Sequence, residues 1–401
     1  MKILILDTIH GAGILADRYS EGNEVMCVDV YGTTPEEDLE KLRKKGYGVS
    51  RSVPPGNYDL VIMPGHCPDS FLEDVTYGRR IFFSEAVKEK IDDGRFRIEV
   101  TGVKGKTSSC YLMAHLLSAA GKKVYLHTSR GRGPWIDDKH RINEKASIAP
   151  ISLLTVPEGD YDAVICEVSL GGSGKADIAC ITNLLSDYGI AKNTRKASDA
   201  KADIFSDGIN IVPESEKEFW SKYSGRLTGY GGRITVSEYP KVGGSLKIKV
   251  DYGNGFEIGM KSSYLAAEYI EAAELALQVC SEMEIPEKAV KEGLSSFEGV
   301  PGRGEISEKG GRYTVTERNP GVSELSFRRT LEILKKMDSL DGALAVVDPV
   351  NKKVCCKLDA GAIKEAAEEF GVPLIITEGE GVPSLPKHSG PLLMFVKEGF
   401  A

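Results

Sequence analysis

The chain has 401 residues, of which 41% are hydrophobic and 27% charged, and its formal net charge is −8. This composition excludes a disordered protein, and the acidic balance argues against a general nucleic-acid coat, although local basic clusters can still bind an anion. No apolar run is long enough to span a bilayer, so we expect a cytoplasmic protein of two or three domains with neither membrane nor nucleic-acid partners.

The first block, residues 1–94, predicts a small Rossmann-like substrate domain. Apolar runs at 2–6, 24–30 and 60–63 are typical of buried strands, and helical or loop segments separate them. Because the first run is cut off by Asp7, it predicts a first strand and not a signal peptide.

The second block, residues 95–300, predicts a central α/β domain, and the third, residues 301–401, predicts a second Rossmann-like domain. The second has expected strands at 96–101, 124–127, 163–166 and 179–182, helices at 106–120 and 266–283, and a β-rich segment at 233–250. The third follows the turn-rich segment 300–305, with expected strands at 312–315, 343–347, 374–377 and 392–395 and helices at 322–337 and 360–370. The predicted fold class is parallel α/β throughout.

A glycine-bearing loop joins the strand at 96–101 to the helix that begins at Lys106. Gly102 and Gly105 let consecutive N–H groups turn toward one anion, and the helix N-terminus adds its positive dipole end. In a phosphate-binding loop Lys106 reaches the β- and γ-phosphates and Thr107 binds Mg²⁺. The alternative is an accidental Gly-Lys-Thr, because Val100 stands where the general motif has its first glycine.

The form Thr-Gly-x-x-Gly-Lys-Thr at 101–107 resembles the loop of the Mur ligase superfamily, which includes the folylpolyglutamate synthetases. Further segments of that superfamily recur in the same order: a strand ending in Glu167, Ile-Thr-Asn at 181–183, Ala-Lys-Ala-Asp-Ile-Phe at 200–205, Pro-Gly-Arg at 301–303 and Asn-Pro at 319–320. The resemblance implies a three-domain Mur ligase-like architecture, with residues 95–300 as a central P-loop ATP-binding domain between two Rossmann-like domains. It also implies an ATP-dependent ligase that activates a carboxylate as an acyl phosphate.

The resemblance also implies the site residues, with ATP and Mg²⁺ as cofactors. The implied catalytic groups are Lys106, Glu167, Lys201 and Arg303, and the implied metal ligands are Thr107, Glu167 and Lys201, the lysine after carbamylation by CO₂. The implied nucleotide contacts are Thr101, Gly102, Val103, Lys104, Gly105, Lys106, Thr107, Ser108, Asn183, Arg303 and Asn319. Taken alone, Glu167 is better explained as an exposed strand-end residue. The alternative for Lys201 is a solvated lysine on a helix, but its position and flanking residues favour the carbamylation site.

Three departures from the superfamily pattern weaken parts of this site. Tyr188 replaces a histidine that helps to bind a second metal, although Asp187 before it is retained. Val315 stands where the ribose-binding aspartate belongs, and the superfamily's His-Asn-x-x-Asn is absent around 265–269. Adenine and ribose contacts are therefore less secure than phosphate contacts.

Three further segments, at 7–11, 167–174 and 183–191, resemble the coenzyme F-430 synthetases of methanogenic archaea. That resemblance implies closure of the last carbocyclic ring of a nickel tetrapyrrole from its seco-acid precursor. Nickel then enters only with this anionic substrate, and the product passes on to methyl-coenzyme M reductase. The alternatives are a conventional Mur-type ligase that forms an amide and a nucleotide-gated binding module. Candidate substrate contacts, otherwise surface groups, are His10, His66, Arg130 and Arg132.

Overall fold

A computed structural model describes residues 1–92, 94–318, 323–348, 359–377 and 387–396. Asn319 therefore lies outside the described residues. The chain divides into two compact units, one made of Met1–Cys110 and Gly121–Tyr230, the other of Tyr111–Ala120 and the residues from Gly231 onward. The predicted α/β class with parallel sheets is confirmed. The domain boundaries after residues 94 and 300 stay a prediction.

The first unit opens with a parallel sheet and three helices. Its elements are β1 (Lys2–Leu6), α1 (Ala12–Tyr19), β2 (Glu24–Val28), α2 (Glu36–Lys44), β3 (Gly48–Ser50), β4 (Gly56–Met63), β5 (Val75–Phe82) and α3 (Phe83–Lys90). The strand order is β3-β2-β1-β4-β5. Strand β1 is apolar at successive positions because both of its faces are covered: Ile3 and Ile5 enter one core cluster, Leu4 and Leu6 another.

The central sheet of the first unit has eight strands. The elements of this part of the chain are β6 (Arg97–Thr101), α4 (Lys106–Ala119), β7 (Val124–Thr128), β8 (Gly131–Ile136), β9 (Lys139–His140), β10 (Ala163–Glu167), β11 (Ile178–Ile181), β12 (Gly189–Ile190), β13 (Arg195–Lys196), α5 (Ala197–Lys201), β14 (Ile209–Pro213), α6 (Lys217–Trp220) and β15 (Thr228–Tyr230). Strands β12 and β13 form a separate two-stranded sheet, and the other eight strands form the central sheet. The order is β15-β14-β11-β6-β10-β7-β8-β9. Strands β8 and β9 are antiparallel to their neighbours, which departs from the prediction of parallel pairing throughout.

The described residues of the second unit form two sheets. Its elements are β16 (Ile234–Glu238), β17 (Leu246–Val250), β18 (Phe256–Met260), α7 (Ile270–Glu282), α8 (Glu287–Ser296), β19 (Arg303–Lys309), β20 (Arg312–Arg318), α9 (Glu324–Lys336), β21 (Leu344–Val347), α10 (Ala360–Glu369), β22 (Leu374–Ile376) and β23 (Leu392–Val396). Strands β16 to β18 form an antiparallel sheet, and the other sheet has the order β19-β20-β23-β21-β22 with β19 antiparallel. These hairpins again depart from the parallel prediction, because connections of two to seven residues are too short for the crossover that parallel neighbours need.

Short 3₁₀ turns lie at Thr8–His10, Asp69–Leu72, Pro150–Thr155, Ala202–Ile204, Glu214–Glu216 and Ala266–Tyr269. The last of these replaces the first turn of the helix expected at 266–283. No helix in the described ranges is both long and apolar enough to cross a membrane.

Candidate active site

Three neighbouring strands of the central sheet end side by side. Strand β6 lies between β10 and β11, and both pair with it in parallel. Parallel strands present their carboxyl ends at one edge of the sheet, which is where α/β proteins bind ligands. At that edge β6 is followed by the glycine loop 102–105, β10 ends in Glu167, and β11 is followed by Thr182 and Asn183. The sequence segments singled out for phosphate and metal therefore meet in space.

The shape of the glycine loop is fixed by the end of β11. Gly102 has φ +138°, and a Cβ there would lie 2.0 Å from the Oγ1 of Thr182, so only glycine fits. The N–H groups of Val103 and Lys104 donate to the backbone oxygen and the Oδ1 of Asn183, at 3.0 and 3.1 Å. In return, the Thr182 hydroxyl donates to the carbonyl of Lys104 at 2.6 Å. Asn183 therefore holds the loop in shape, and its predicted contact with the nucleotide stays a prediction.

Lys106 opens helix α4 and folds back over the loop. Its Nζ donates to the carbonyl oxygen of Gly102 at 3.2 Å. The first N–H groups of a helix lack intrahelical acceptors, so the start of α4 offers donors and a positive dipole end to an anion. Gly105, with φ +82°, allows the chain to turn into the helix here, and Ser108 lies in the first helical turn. This arrangement suits the phosphates of a nucleotide.

Two buried oxygen groups lie beside the start of α4. The Thr107 hydroxyl donates to the Oε2 of Glu167 at 2.8 Å, and the backbone N–H of Ser129 donates to the same carboxylate oxygen at 3.0 Å. The hydroxyls of Thr107 and Ser129 are 3.2 Å apart. A hydroxyl next to a carboxylate is the oxygen donor set that Mg²⁺ prefers. The residues present therefore fit the magnesium ion that the sequence motif implies.

Lys201, the last residue of α5, reaches the same edge of the sheet. Its side chain is almost fully buried, and its Nζ donates to the carbonyl oxygens of Gly102 and Ser169, both at 2.9 Å. Burial, and secondarily the charge of Lys106, lowers the pKa of Lys201 well below its usual range. A neutral amine is the form that reacts with CO₂. Carbamylation of Lys201 stays a prediction, and this environment favours it.

Asp187 positions the helix that carries Lys201. Its two carboxylate oxygens accept hydrogen bonds from the backbone N–H and the hydroxyl of Ser198, both at 2.9 Å. Tyr188, which stands in place of the superfamily's histidine, has 43% of its surface exposed. Asp187 therefore acts here as a helix cap.

The candidate substrate residues fall into two groups. His10 and His66 converge on one carboxylate, because the Nδ1 of His10 lies 2.6 Å and the Nε2 of His66 3.1 Å from the Oδ2 of Asp7. The proximity of Asp7 raises the pKa of His10.

Arg130 lies in the turn between β7 and β8, and Arg132 lies on β8. The guanidinium of Arg132 donates to the carboxylate of Glu144 at 2.7 Å and to the carbonyl of Thr155 at 2.8 Å. Arg130 is half-buried, and its backbone N–H donates to Thr128. Arg132 is thus held within the first unit by its own partners, and its role in substrate binding stays a prediction.

Arg303 lies at the start of β19 in the second unit. Its backbone oxygen accepts a hydrogen bond from the hydroxyl of Tyr269 at 2.9 Å, which fixes the chain direction as β19 begins. Its catalytic role stays a prediction.

Sequence reasoning did not single out Ser129, Ser169 or Thr182 as parts of the site. Ser129 follows β7, the neighbour of β10, so its position was accessible once the strand order was known. Thr182 directly precedes Asn183, and its role is set by the close approach of Gly102. Ser169 contributes only its carbonyl oxygen, which carries no side-chain signal in the sequence.

Comparison with known proteins agrees with this geometry. Residues 100–225 match the Mur ligase middle domain. The chain is 28% identical to a coenzyme F(430) synthetase from Methanosarcina acetivorans, over 99% of this chain and 94% of that protein. It is 27% identical to a coenzyme F(430) synthetase from Methanocaldococcus jannaschii, over 92% and 88%.

A similar fold is found in the crystal structure of a MurF ligase from Thermotoga maritima in complex with ADP. The TM-score is 0.57 at 15% sequence identity, covering 93% of this chain and 91% of that one. At this identity the likeness concerns the fold alone. Together with the middle-domain match over the glycine loop, Glu167, Asn183 and Lys201, these findings show that the chain is an ATP-dependent ligase similar to the Mur ligases.

Proposed function

We propose that this ligase closes a carbocyclic ring of an anionic nickel tetrapyrrole, completing coenzyme F-430 from its seco-acid precursor. The observation that carries the proposal is the similarity, along nearly the whole chain, to two coenzyme F(430) synthetases. The site supports the first half of the reaction independently, because its loop, lysine and oxygen groups suit phosphoryl transfer from ATP.

The first step makes a carboxylate reactive. A carboxylate oxygen of the substrate attacks the γ-phosphorus of ATP, the bond between that phosphorus and the bridging oxygen breaks, and ADP leaves. Lys106 and the N–H groups at the start of α4 stabilise the negative charge on the transferring group. Thr107 and Glu167 would hold Mg²⁺, which supplies further charge stabilisation when bound.

The second step forms the ring. A carbon nucleophile of the same molecule attacks the acyl carbon, a carbon–carbon bond forms, phosphate leaves, and the proton of the nucleophilic carbon passes to a base. Because both reacting ends belong to one macrocycle, holding it in one conformation provides the proximity that an amine-dependent ligase obtains by binding a second substrate.

A basic hairpin supports the choice of an anionic substrate. Strands β12 and β13 and their turn carry Lys192 and Arg195, and both lie against residues at the carboxyl edge of the first sheet. Arg195 donates to the carbonyl of Gly65 at 3.1 Å and lies 4.1 Å from the ring centroid of Phe82. The Nζ of Lys192 is 3.5 Å from the hydroxyl of Ser70. Positive charge at this edge would attract the several carboxylates of such a precursor.

ATP consumption tests the proposal. We expect ADP release and ring-closed product with the nickel seco-acid, and neither with any amino acid when the seco-acid is omitted. Lys106→Ala provides the background rate. Turnover that requires an amino acid would favour the conventional amide-forming ligase, and ATP binding without turnover on either substrate would favour a binding module. Transfer of the product to methyl-coenzyme M reductase is part of the proposal, and activation of the apo-reductase by the reaction mixture would test it.

A further inference from the structure

We infer that Asp7, His66 and Cys67 form a binding site for a divalent transition-metal ion, separate from the magnesium ligands of the phosphate loop. One ligand atom from each of the three residues lies within 4.8 Å of the other two. The inference goes beyond the proposed function, because neither phosphoryl transfer nor ring closure requires a protein-bound transition metal.

The strand order of the first sheet brings these residues together. Strands β1 and β4 are parallel neighbours, with Ile5 opposite Ile62. Asp7 follows β1 directly, and the turn after β4 carries His66 and Cys67, where the Cys67 N–H donates to the carbonyl of Pro64 at 3.0 Å. The site therefore stands at the carboxyl edge of a parallel sheet.

The backbone at Asp7 is held in an unfavourable conformation. Its φ is +72°, in the left-handed region that a non-glycine residue seldom adopts. Such strain persists only where the surroundings enforce it, and it concentrates at functional sites. Here it turns a completely buried carboxylate toward His66, with Nε2 and Oδ2 3.1 Å apart.

The spacing and donor types suit a particular class of ion. Ligand atoms held at ~2.0–2.3 Å from one tetrahedral ion lie roughly 3.3–3.8 Å apart, so the 3.1 Å between Asp7 and His66 needs little adjustment. A carboxylate, an imidazole and a thiol together favour Zn²⁺, Co²⁺ or Ni²⁺ over Mg²⁺ or Ca²⁺, which prefer oxygen alone.

The neighbours of the three residues complete the site. His10 donates from Nδ1 to the same Asp7 oxygen at 2.6 Å and so orients the carboxylate. The Tyr31 hydroxyl lies 3.4 Å from the Cys67 sulfur, and its ring stacks on His66 at 5.9 Å between centroids. His66 retains 30% side-chain exposure, which leaves a solvent side where a fourth ligand can bind. On binding, the ion displaces the thiol proton of Cys67 and the Nε2 proton of His66 to solvent.

Cobalt provides the test. The full chain, freed of metal with a chelator, is titrated with Co²⁺ in a large excess of Mg²⁺, which keeps the oxygen ligands of Thr107 and Glu167 occupied. We expect one equivalent of Co²⁺ to bind, with a thiolate-to-cobalt absorption band in the near ultraviolet and visible bands of tetrahedral intensity. Zn²⁺ should displace the Co²⁺, and additional Mg²⁺ should not.

Matched variants assign the bands to residues. Cys67→Ser should abolish the thiolate band, and His66→Gln should weaken Co²⁺ affinity at least tenfold. Cys27→Ala is the control, because Cys27 is also a buried cysteine of this sheet but belongs to the core cluster on its other face. Glu167→Gln should leave the cobalt spectrum unchanged. Absence of the thiolate band from the wild-type protein, or its persistence in Cys67→Ser, would overturn the inference.

Discussion

The hydroxyl of Thr107 donates to the carboxylate of Glu167 across 2.8 Å, joining the first turn of α4 to the end of β10. This contact links two segments 60 residues apart in the chain. It places a hydroxyl and a carboxylate, two oxygen groups of the kind that Mg²⁺ prefers, side by side next to the glycine loop. The first prediction concerns this pair.

Glu167→Gln keeps the shape of the side chain and removes its negative charge. We expect the Mg²⁺ concentration for half-maximal activity to rise about tenfold or more, because a neutral amide is a poorer ligand for a hard cation. A magnesium titration of ATP-dependent turnover measures this. Glu158→Gln, at an exposed position, is the matched control. Overlapping magnesium curves for Glu167→Gln and the wild type would exclude Glu167 as a ligand.

Lys106→Ala removes the lysine that the phosphate-loop motif predicts to meet the transferring phosphoryl group. We expect kcat to fall about 10²- to 10³-fold with the fold intact, since the wild-type contact is only to the Gly102 carbonyl. The rate of product formation measures kcat, and circular dichroism shows whether the fold is intact. Lys122→Ala, on the exposed segment after α4, should behave as wild type. A Lys106→Ala enzyme with more than a tenth of wild-type turnover would remove this lysine from the mechanism.

Lys201→Ala should be nearly inactive if carbamylated Lys201 supplies a metal ligand. Short-chain carboxylic acids should partly restore activity, because they can occupy the vacated space as oxygen donors. Lys201→Arg should not respond, since the guanidinium still fills the pocket and stays cationic. Native mass spectrometry in bicarbonate buffer should detect the added carboxyl group on the wild type. An active complex in which an unmodified Lys201 ammonium contacts the ATP phosphates would contradict the prediction.

Gly102→Ala should lose nucleotide binding and destabilise the chain by about 1–3 kcal/mol or more. The new Cβ would meet the Thr182 Oγ1 at 2.0 Å, and φ +138° is strained for alanine. ATP binding by calorimetry and denaturant unfolding measure the two effects. Gly225→Ala is the control, because that position has open space and no positive φ. If the two variants bound ATP equally well, the loop geometry described here would be incorrect.

Acid should destabilise the chain through His127, which is fully buried on β7. Burial, and secondarily the charge of Arg132, lowers its pKa from 6.5 to about 4. Below pH 6.5 the imidazole of the unfolded chain binds a proton, whereas His127 in the folded chain stays neutral down to about pH 4. The free energy of unfolding is therefore highest above pH 6.5 and decreases as the pH falls. Between pH 7 and pH 5 the loss amounts to about 2 kcal/mol.

Between pH 7 and pH 5, His127→Gln should lose about 2 kcal/mol less of its free energy of unfolding than the wild type loses. Urea unfolding at the two pH values measures the difference between variant and wild type. Equal acid losses in the two proteins would show that His127 titrates normally.

Sequence patterns predicted the elements whose signals are local. Strand β1 has the bounds that its apolar run indicates, and the glycine loop lies between a strand and a helix as its motif requires. Strand β5 was missed because it is an edge strand, mostly exposed, whose Gly78, Arg79 and Arg80 break the apolar pattern.

Contacts between residues far apart in the chain were the main feature that the sequence did not predict. The partners of Arg132 lie 12 and 23 residues away, and Glu144 reaches it because the later chain returns antiparallel to β8. A basic stretch looks the same in the sequence whether its charges face solvent or are already paired.

The two hydrogen bonds that the loop donates to Asn183 have a thermodynamic consequence. The N–H groups of Val103 and Lys104 already have acceptors, so an incoming phosphate must rely on the donors that follow, at Gly105, Lys106 and Thr107. A loop shaped in advance by its neighbour loses little conformational entropy when the nucleotide arrives. ATP capture by this chain should therefore resemble docking into a rigid receptor, without the large heat-capacity change that accompanies folding upon binding.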